Sequence, residues 1–422
     1  MHNKWKNQRA RKIKPVRFDI TQLPYDVLYN IFSYFCVHCC STIDPLSLGT
    51  VYHNAQEWTR QPKRRERWWL QARRILFSLT LSCKALHGPA QDVLYHDLTI
   101  GYNDPRLILD LKSEDHNRIF YGVNRHMCAM AAKRLRLFMR TAGERKDLAA
   151  KVQRLSIGSG FLNHLKPLQI RSLILQAAAD LGIDLMAAWR RRLASLPPGS
   201  KILYSEILLA FPSPEFTRLQ NRWSEWSRLR PRNANGIGHL LAELIAVLVK
   251  LLLNLNHLDL RANGTAFLEP SSFKALGISS LPNIRTLDMD EPANFLMNMA
   301  AGPQELRNLK TLRVSETCYG LETFREALSA CSTDLRTFVY EAGGPVSCVK
   351  EGVTYTTFTA AGAAEALKKH HHTLETLHLD VSLSQYIYPP LEEQMRHFTL
   401  HDFTAVRHIL LNLGLLFGDI TL

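Results

Sequence analysis

At 422 residues, with 46% hydrophobic and 21% charged side chains, the chain holds too much apolar material for general disorder, and its length predicts two or three domains unless repeats stretch one into an array. Its 66 leucines suit helices and repeat arrays and argue against an all-β fold. The net charge of +14 comes mostly from two arms: residues 1–17, with Lys4, Lys6, Arg9, Arg11, Lys12, Lys14 and Arg17 and no acid, and residues 36–75, with Arg60, Lys63, Arg64, Arg65, Arg67, Arg73 and Arg74 against three acids, so the body is nearly balanced. Eight irregularly spaced cysteines form no disulfide framework, and no apolar stretch follows the basic start, which points to a reducing compartment, nucleus or cytoplasm.

After the basic tail, Pro24 and Asp26 mark a helix start, and Val27, Leu28, Ile31, Phe32 and Phe35 form one broad apolar stripe. Residues 36–75 interrupt the pattern. Periodicity resumes at Ile75 and Leu76, continues through Leu79, Cys83 and Leu86, and is expected to stop at Gly88-Pro89. A second short helix then leads into the strand-like alternation of Leu94 to Ile100.

Leu23-Pro24 with its apolar helix, then Leu76 to His87, then Ala90 to Leu98, resembles an F-box domain over about 80 residues, with Leu86 where the family commonly has an aromatic. About 40 residues separate the two helical segments where the family has a short link, an insertion that costs little closure entropy.

Beyond it, an apolar-x-x-apolar-x-apolar frame recurs: Val152/Leu155/Ile157, Leu255/Leu258/Leu260, Ile284/Leu287/Met289, Leu309/Leu312/Val314, Leu335/Phe338/Tyr340, Leu374/Leu377/Leu379 and Val406/Ile409/Leu411. The last six start 29, 25, 26, 39 and 32 residues apart. Helical sequence precedes two of them, at Leu321–Ala330 and Thr359–His371. Strand, turn and helix at this period resemble an irregular leucine-rich-repeat solenoid. The predicted architecture is therefore α/β: a basic flexible tail over 1–17, an all-helical F-box over 18–98 with a Trp- and Cys-containing insertion at about 36–75, and a repeat domain of parallel strands and helices over 99–422 with an irregular helical insertion at about 161–235. Only eleven residues follow the final frame, so the solenoid is expected to lack a polar cap. The apolar window Ile237–Leu255 is broken by Glu243 and Lys250 and reads as a buried helix, with no membrane span.

No Walker-type P-loop, HExxH or GxSxG motif is present, which speaks against common NTPases and hydrolases. Cys36, His38, Cys39, Cys40 and His53 have zinc-ligating atoms but lack two separated pairs, so they read as a helix end with buried thiols. Lys368-Lys369-His370-His371-His372 is expected to complement a helix C-terminus. No metal, cofactor or catalytic residue is assigned.

The F-box resemblance implies a non-catalytic, substrate-recognition subunit of an SCF-type cullin-RING ubiquitin ligase. Leu23, Pro24, Ile31, Phe32, Leu79 and Leu86 would dock on a Skp-family adaptor and through it reach the cullin. The repeat resemblance implies that residues alternating with the inward frame line an exposed concave sheet: His257, Asp259 and Arg261; Asp288 and Asp290; Arg313; Glu341; His378 and Asp380. These would hold a target protein with a basic or mixed-charge element. Two other classes stay open: a repeat scaffold outside ubiquitination, and a nucleic-acid-associated protein using the basic arms with Trp5, Trp58, Trp68 and Trp69.

Overall fold

The computed structural model describes residues 19–36, 38–39, 62–100, 133–157, 167–185, 187, 235–261, 283–290, 306, 308–315, 325, 328–329, 331, 334–341, 360–380 and 400–411. The basic tail, Cys40, His53, Trp58 and most of the 161–235 insertion lie outside them.

The N-terminal region is helical. A 3-10 turn, Ile20–Gln22, is capped by Asp19, whose carboxylate accepts from the Thr21 amide at 3.0 Å. It leads into α1 (Tyr25–Ser33), α2 (Pro62–Ser82) and α3 (Lys84–His96). Leu28, Phe32, Cys36, Leu76, Leu86, Ala90 and Val93 form its closed core, with Leu23 and Leu79 packed against it. Two boundaries differ from expectation. The helix after the basic segment already begins at Pro62, so the last part of the expected insertion belongs to α2. The break also falls at Cys83, whose extended backbone (φ −159°, ψ 164°) separates α2 from α3, and not at Gly88-Pro89. Pro89 removes one helical hydrogen bond, but Pro89 and Ala90 are buried, and that packing holds the helix together. At Gly88 a Cβ would stand 3.3 Å from the Tyr25 ring, so glycine permits the close approach of α1.

α3 runs without a break into β1 (Asp97–Ile100), the first strand of an eight-stranded, all-parallel sheet. Strands β2 (Arg154–Ile157), β3 (His257–Arg261), β4 (Thr286–Asp290), β5 (Thr311–Ser315), β6 (Thr337–Glu341), β7 (Thr376–Asp380) and β8 (His408–Leu411) follow in strict sequential order. Each of the seven apolar frames enters one strand. In register, Leu98, Leu155, Leu258, Leu287, Leu312, Phe338, Leu377 and Ile409 make one inward row, and Ile100, Ile157, Leu260, Met289, Val314, Tyr340, Leu379 and Leu411 the next. Both rows are buried from β2 through β7, because the two-residue period of a strand sends alternate side chains to one face. Ile409 on β8 is exposed.

Helices close the other side of this core: the helix at 133–144, α4 (Lys146–Ala149), α5 (Pro167–Asp180), α6 (Asn235–Leu251) and α7 (Ala360–Leu367), the last followed by a 3-10 turn at Lys368–His370. Arg325, Leu328 and Ser329 are also helical. The expected buried helix is α6, in which Ile245, Val247 and Leu248 are buried. Among the described residues no helix is long and apolar enough to cross a membrane. Lys369 donates to the carbonyls of Ser329 and Cys331, both at 3.0 Å, so the Lys/His run places a cation on carbonyls at the end of a preceding helical segment. Burial, opposed by the nearby Lys369 charge, pushes the Cys331 thiol up to about 12.

Candidate functional site

The six residues assigned to adaptor docking divide by depth. Phe32 and Leu86 are core residues, Leu23 and Leu79 are half-buried against that core, and Pro24 and Ile31 are exposed. Phe32 and Leu86 are thus spent on internal packing and cannot be the contact face, which corrects their assignment. Ile31 belongs to a wider set of exposed apolar residues. Val27, Ile31 and Tyr34, spaced four and three residues apart, share one exposed side of α1, and Phe77 and Leu81, one turn apart, lie exposed on α2. The i, i+4, i+7 spacing of Val27, Ile31 and Tyr34, about 100° round the helix from Leu28 and Phe32, is the signal for this side. Tyr25 hydrogen-bonds Asp92 on α3, which also pairs with Lys151 ahead of β2 and so ties the helices to the sheet.

The polar face of the sheet is organised in three rows. The first is Asp97, Arg154, His257, Thr286, Thr311, Thr337 and Thr376; the second is Thr99, Ser156, Asp259, Asp288, Arg313, Val339 and His378; the third is Arg261, Asp290, Ser315, Glu341 and Asp380. The expectation that this face is open is not met for His257, Asp259, Arg313 and His378, all of which are buried, while Asp288 is partly covered. Neighbouring strands stack these side chains against one another and let them neutralise in place. Arg154 donates to Asp97 at 3.1 Å and to Asp259 at 2.6 Å, and Ser156 donates to the same Asp259 oxygen at 2.9 Å. His257 Nε2 meets Asp288 at 2.9 Å, with Arg313 3.7 Å from the same oxygen. Burial acts to raise the Asp288 carboxyl, but Arg313, His257 and Arg154 outweigh it and hold the group well below the usual carboxylate range. Arg261, Asp290, Glu341 and Asp380 occupy the third row, at the C-terminal ends of their strands; their side chains lie outside the described residues.

A third constellation sits where the helices meet the sheet. Cys36, His38 and Cys39, just after α1, converge on His96 at the end of α3, with one ligand-type atom from each residue and all four within 4.8 Å of one another. Cys39 Sγ lies 3.3 Å from His96 Nδ1 and 3.8 Å from His38 Nδ1. Contact with the Cys39 thiol, reinforced by burial, pushes the Cys36 thiol up to about 12.

No family model matches the chain, and no match to it was found among curated proteins or solved structures.

Proposed function

We propose that the chain is a substrate-recognition subunit of an SCF-type cullin-RING ubiquitin ligase: α1 to α3 act as an F-box that docks on a Skp-family adaptor and through it reaches the cullin, and the sheet body acts as an irregular leucine-rich-repeat solenoid that holds a target protein. The observation that supports this reading most is the exposed set Val27, Ile31, Tyr34, Phe77 and Leu81 beside a core already closed by Leu28, Phe32, Leu76 and Leu86. Large apolar side chains left outside a completed core mark a surface for a partner, and burying what remains exposed of them contributes roughly 25 cal/mol per Å² of apolar area. The target would meet the polar face of the sheet, on which Arg261, Asp290, Glu341 and Asp380 hold the third-row register positions. The chain itself performs no covalent step in this reading and contributes proximity between target and conjugating enzyme.

The test is co-purification of the full chain with a Skp-family adaptor, beside the double variant Ile31→Asp with Leu81→Asp. Both positions are exposed, so the variant stays folded with a modestly lowered Tm while losing the adaptor. A wild-type chain that does not bind the adaptor but keeps another protein partner would move the reading to a repeat scaffold outside ubiquitination.

A further inference from the structure

The geometry points to a structural zinc site formed by Cys36 Sγ, His38 Nδ1, Cys39 Sγ and His96 Nδ1, which clamps the helical region to the first strands of the sheet. Its donors come from two separate places in the chain: a Cys-x-His-Cys run after α1, and one histidine at the junction of α3 and β1. The run alone supplies three ligands, which is why its spacing shows no second pair. Folding supplies the fourth.

Two of the donor–donor edges suit the ion. Zinc binds thiolate sulfur at about 2.3 Å and imidazole nitrogen at about 2.0–2.1 Å, so a tetrahedron of such donors has edges of roughly 3.3–3.8 Å. The two sulfur–nitrogen edges from Cys39, 3.3 and 3.8 Å, fall in that range. Two soft thiolates with two imidazoles suit zinc and not magnesium or calcium, and four protein donors leave no open position for chemistry.

The outer nitrogens of the two imidazoles are engaged as metal-bound histidines require. His38 Nε2 lies 3.2 Å from the side-chain oxygen of Asn256, and His96 Nε2 lies 3.1 Å from the Tyr29 hydroxyl oxygen, which can accept its proton, whereas the Gln153 side-chain NH2 at 3.3 Å is itself a donor. Holding the Nε2 proton there directs each Nδ1 lone pair towards the sulfurs. His96, Gln153 and Asn256 are in turn consecutive rungs of the parallel ladder, each one residue ahead of its strand. The Gln153 amide donates to the His96 carbonyl at 2.9 Å, and the Asn256 amide to the Gln153 carbonyl at 2.9 Å. The sheet therefore sets the orientation of both histidines. Cys36, His38 and His96 are buried, which excludes competing water. This inference does not depend on adaptor binding.

The experiment uses the full chain, purified with reductant from zinc-containing medium, with metal content measured after desalting. The chelator-stripped protein is then titrated with Co2+ and followed by its ligand-field and thiolate charge-transfer bands. The expected result is about one zinc per chain, a tetrahedral Co2+ spectrum with sulfur charge transfer, and loss of both in Cys39→Ser and in His96→Gln, while Cys83→Ser, an exposed thiol elsewhere, changes neither. Asn256→Ala keeps the spectrum but weakens Co2+ roughly 10–100-fold. A wild-type chain without stoichiometric zinc and without the tetrahedral spectrum overturns the site, as does metal retained in both folded ligand variants. If those variants fail to fold, the wild-type spectrum and the Asn256→Ala affinity decide.

Discussion

Arg154 and Asp259, 105 residues apart in sequence, meet at 2.6 Å across adjacent parallel strands with both side chains almost wholly covered. The same guanidinium also holds Asp97 on β1, so two buried carboxylates share one cation. Removing it takes the shared charge from both. Arg154→Met is expected to cost about 3–5 kcal/mol in urea unfolding. The triple variant Asp97→Asn, Arg154→Met, Asp259→Asn should lose distinctly less, because no charge is stranded. A triple variant less stable than the single one would refute the shared-charge account.

Asp288 gives the second row a pH signature. Its folded carboxyl is held below the unfolded value, so the stability it contributes is complete above the unfolded pKa of about 3.9 and is lost as pH falls through the lower folded value. Asp288→Asn should cost about 2 kcal/mol near neutral pH. The gap to wild type should narrow only as pH drops below about 4. Unfolding midpoints measured from pH 7 down to pH 3 check this, and a gap constant across that range contradicts it.

Neighbouring residues on α1 should behave oppositely. Phe32 is 2% exposed inside the helical core, and Phe32→Ala is expected to cost about 3–5 kcal/mol. Ile31 is 37% exposed, and Ile31→Ala should fall within about 0.5–1 kcal/mol of wild type while weakening adaptor binding. Thermal unfolding and adaptor titration on the same two proteins separate packing from docking.

Gly182 ends α5 with φ +67°, its amide bonding to Ala179 O at 3.0 Å and the Ile183 amide to Ala178 O at 2.8 Å. That is the left-handed helix stop in which glycine avoids a Cβ penalty. No atom lies within 4 Å of the position a Cβ would take, so the cost of Gly182→Ala is conformational alone, about 1–2 kcal/mol. Gly182→Asn should lose less, and denaturant midpoints of the two variants test the order.

The parallel sheet was legible because strand formation rests on a local signal. Val152/Leu155/Ile157 and the six later frames each end in two apolar residues two apart, the alternation by which a strand buries one face, and the recurrence of that ending marks the sheet. Gly88-Pro89 misled for the complementary reason: a local breaker signal was overridden by the burial of Pro89 and Ala90 against the rest of the helical core.

By itself the sequence determined where the strands lie, which of their residues face the core, and that the basic charge is concentrated in residues 1–17 and 36–75. Tertiary structure alone decided which polar groups are spent inside the molecule and which donors meet. Asp259 is closed off because parallel pairing stacks it between Ser156 and Asp288, and His96 joins Cys36, His38 and Cys39 because α3 returns to the end of α1 before entering the sheet. Both depend on contacts between residues far apart in the chain, whose meeting is set by register and helix packing and leaves no periodic trace in the sequence.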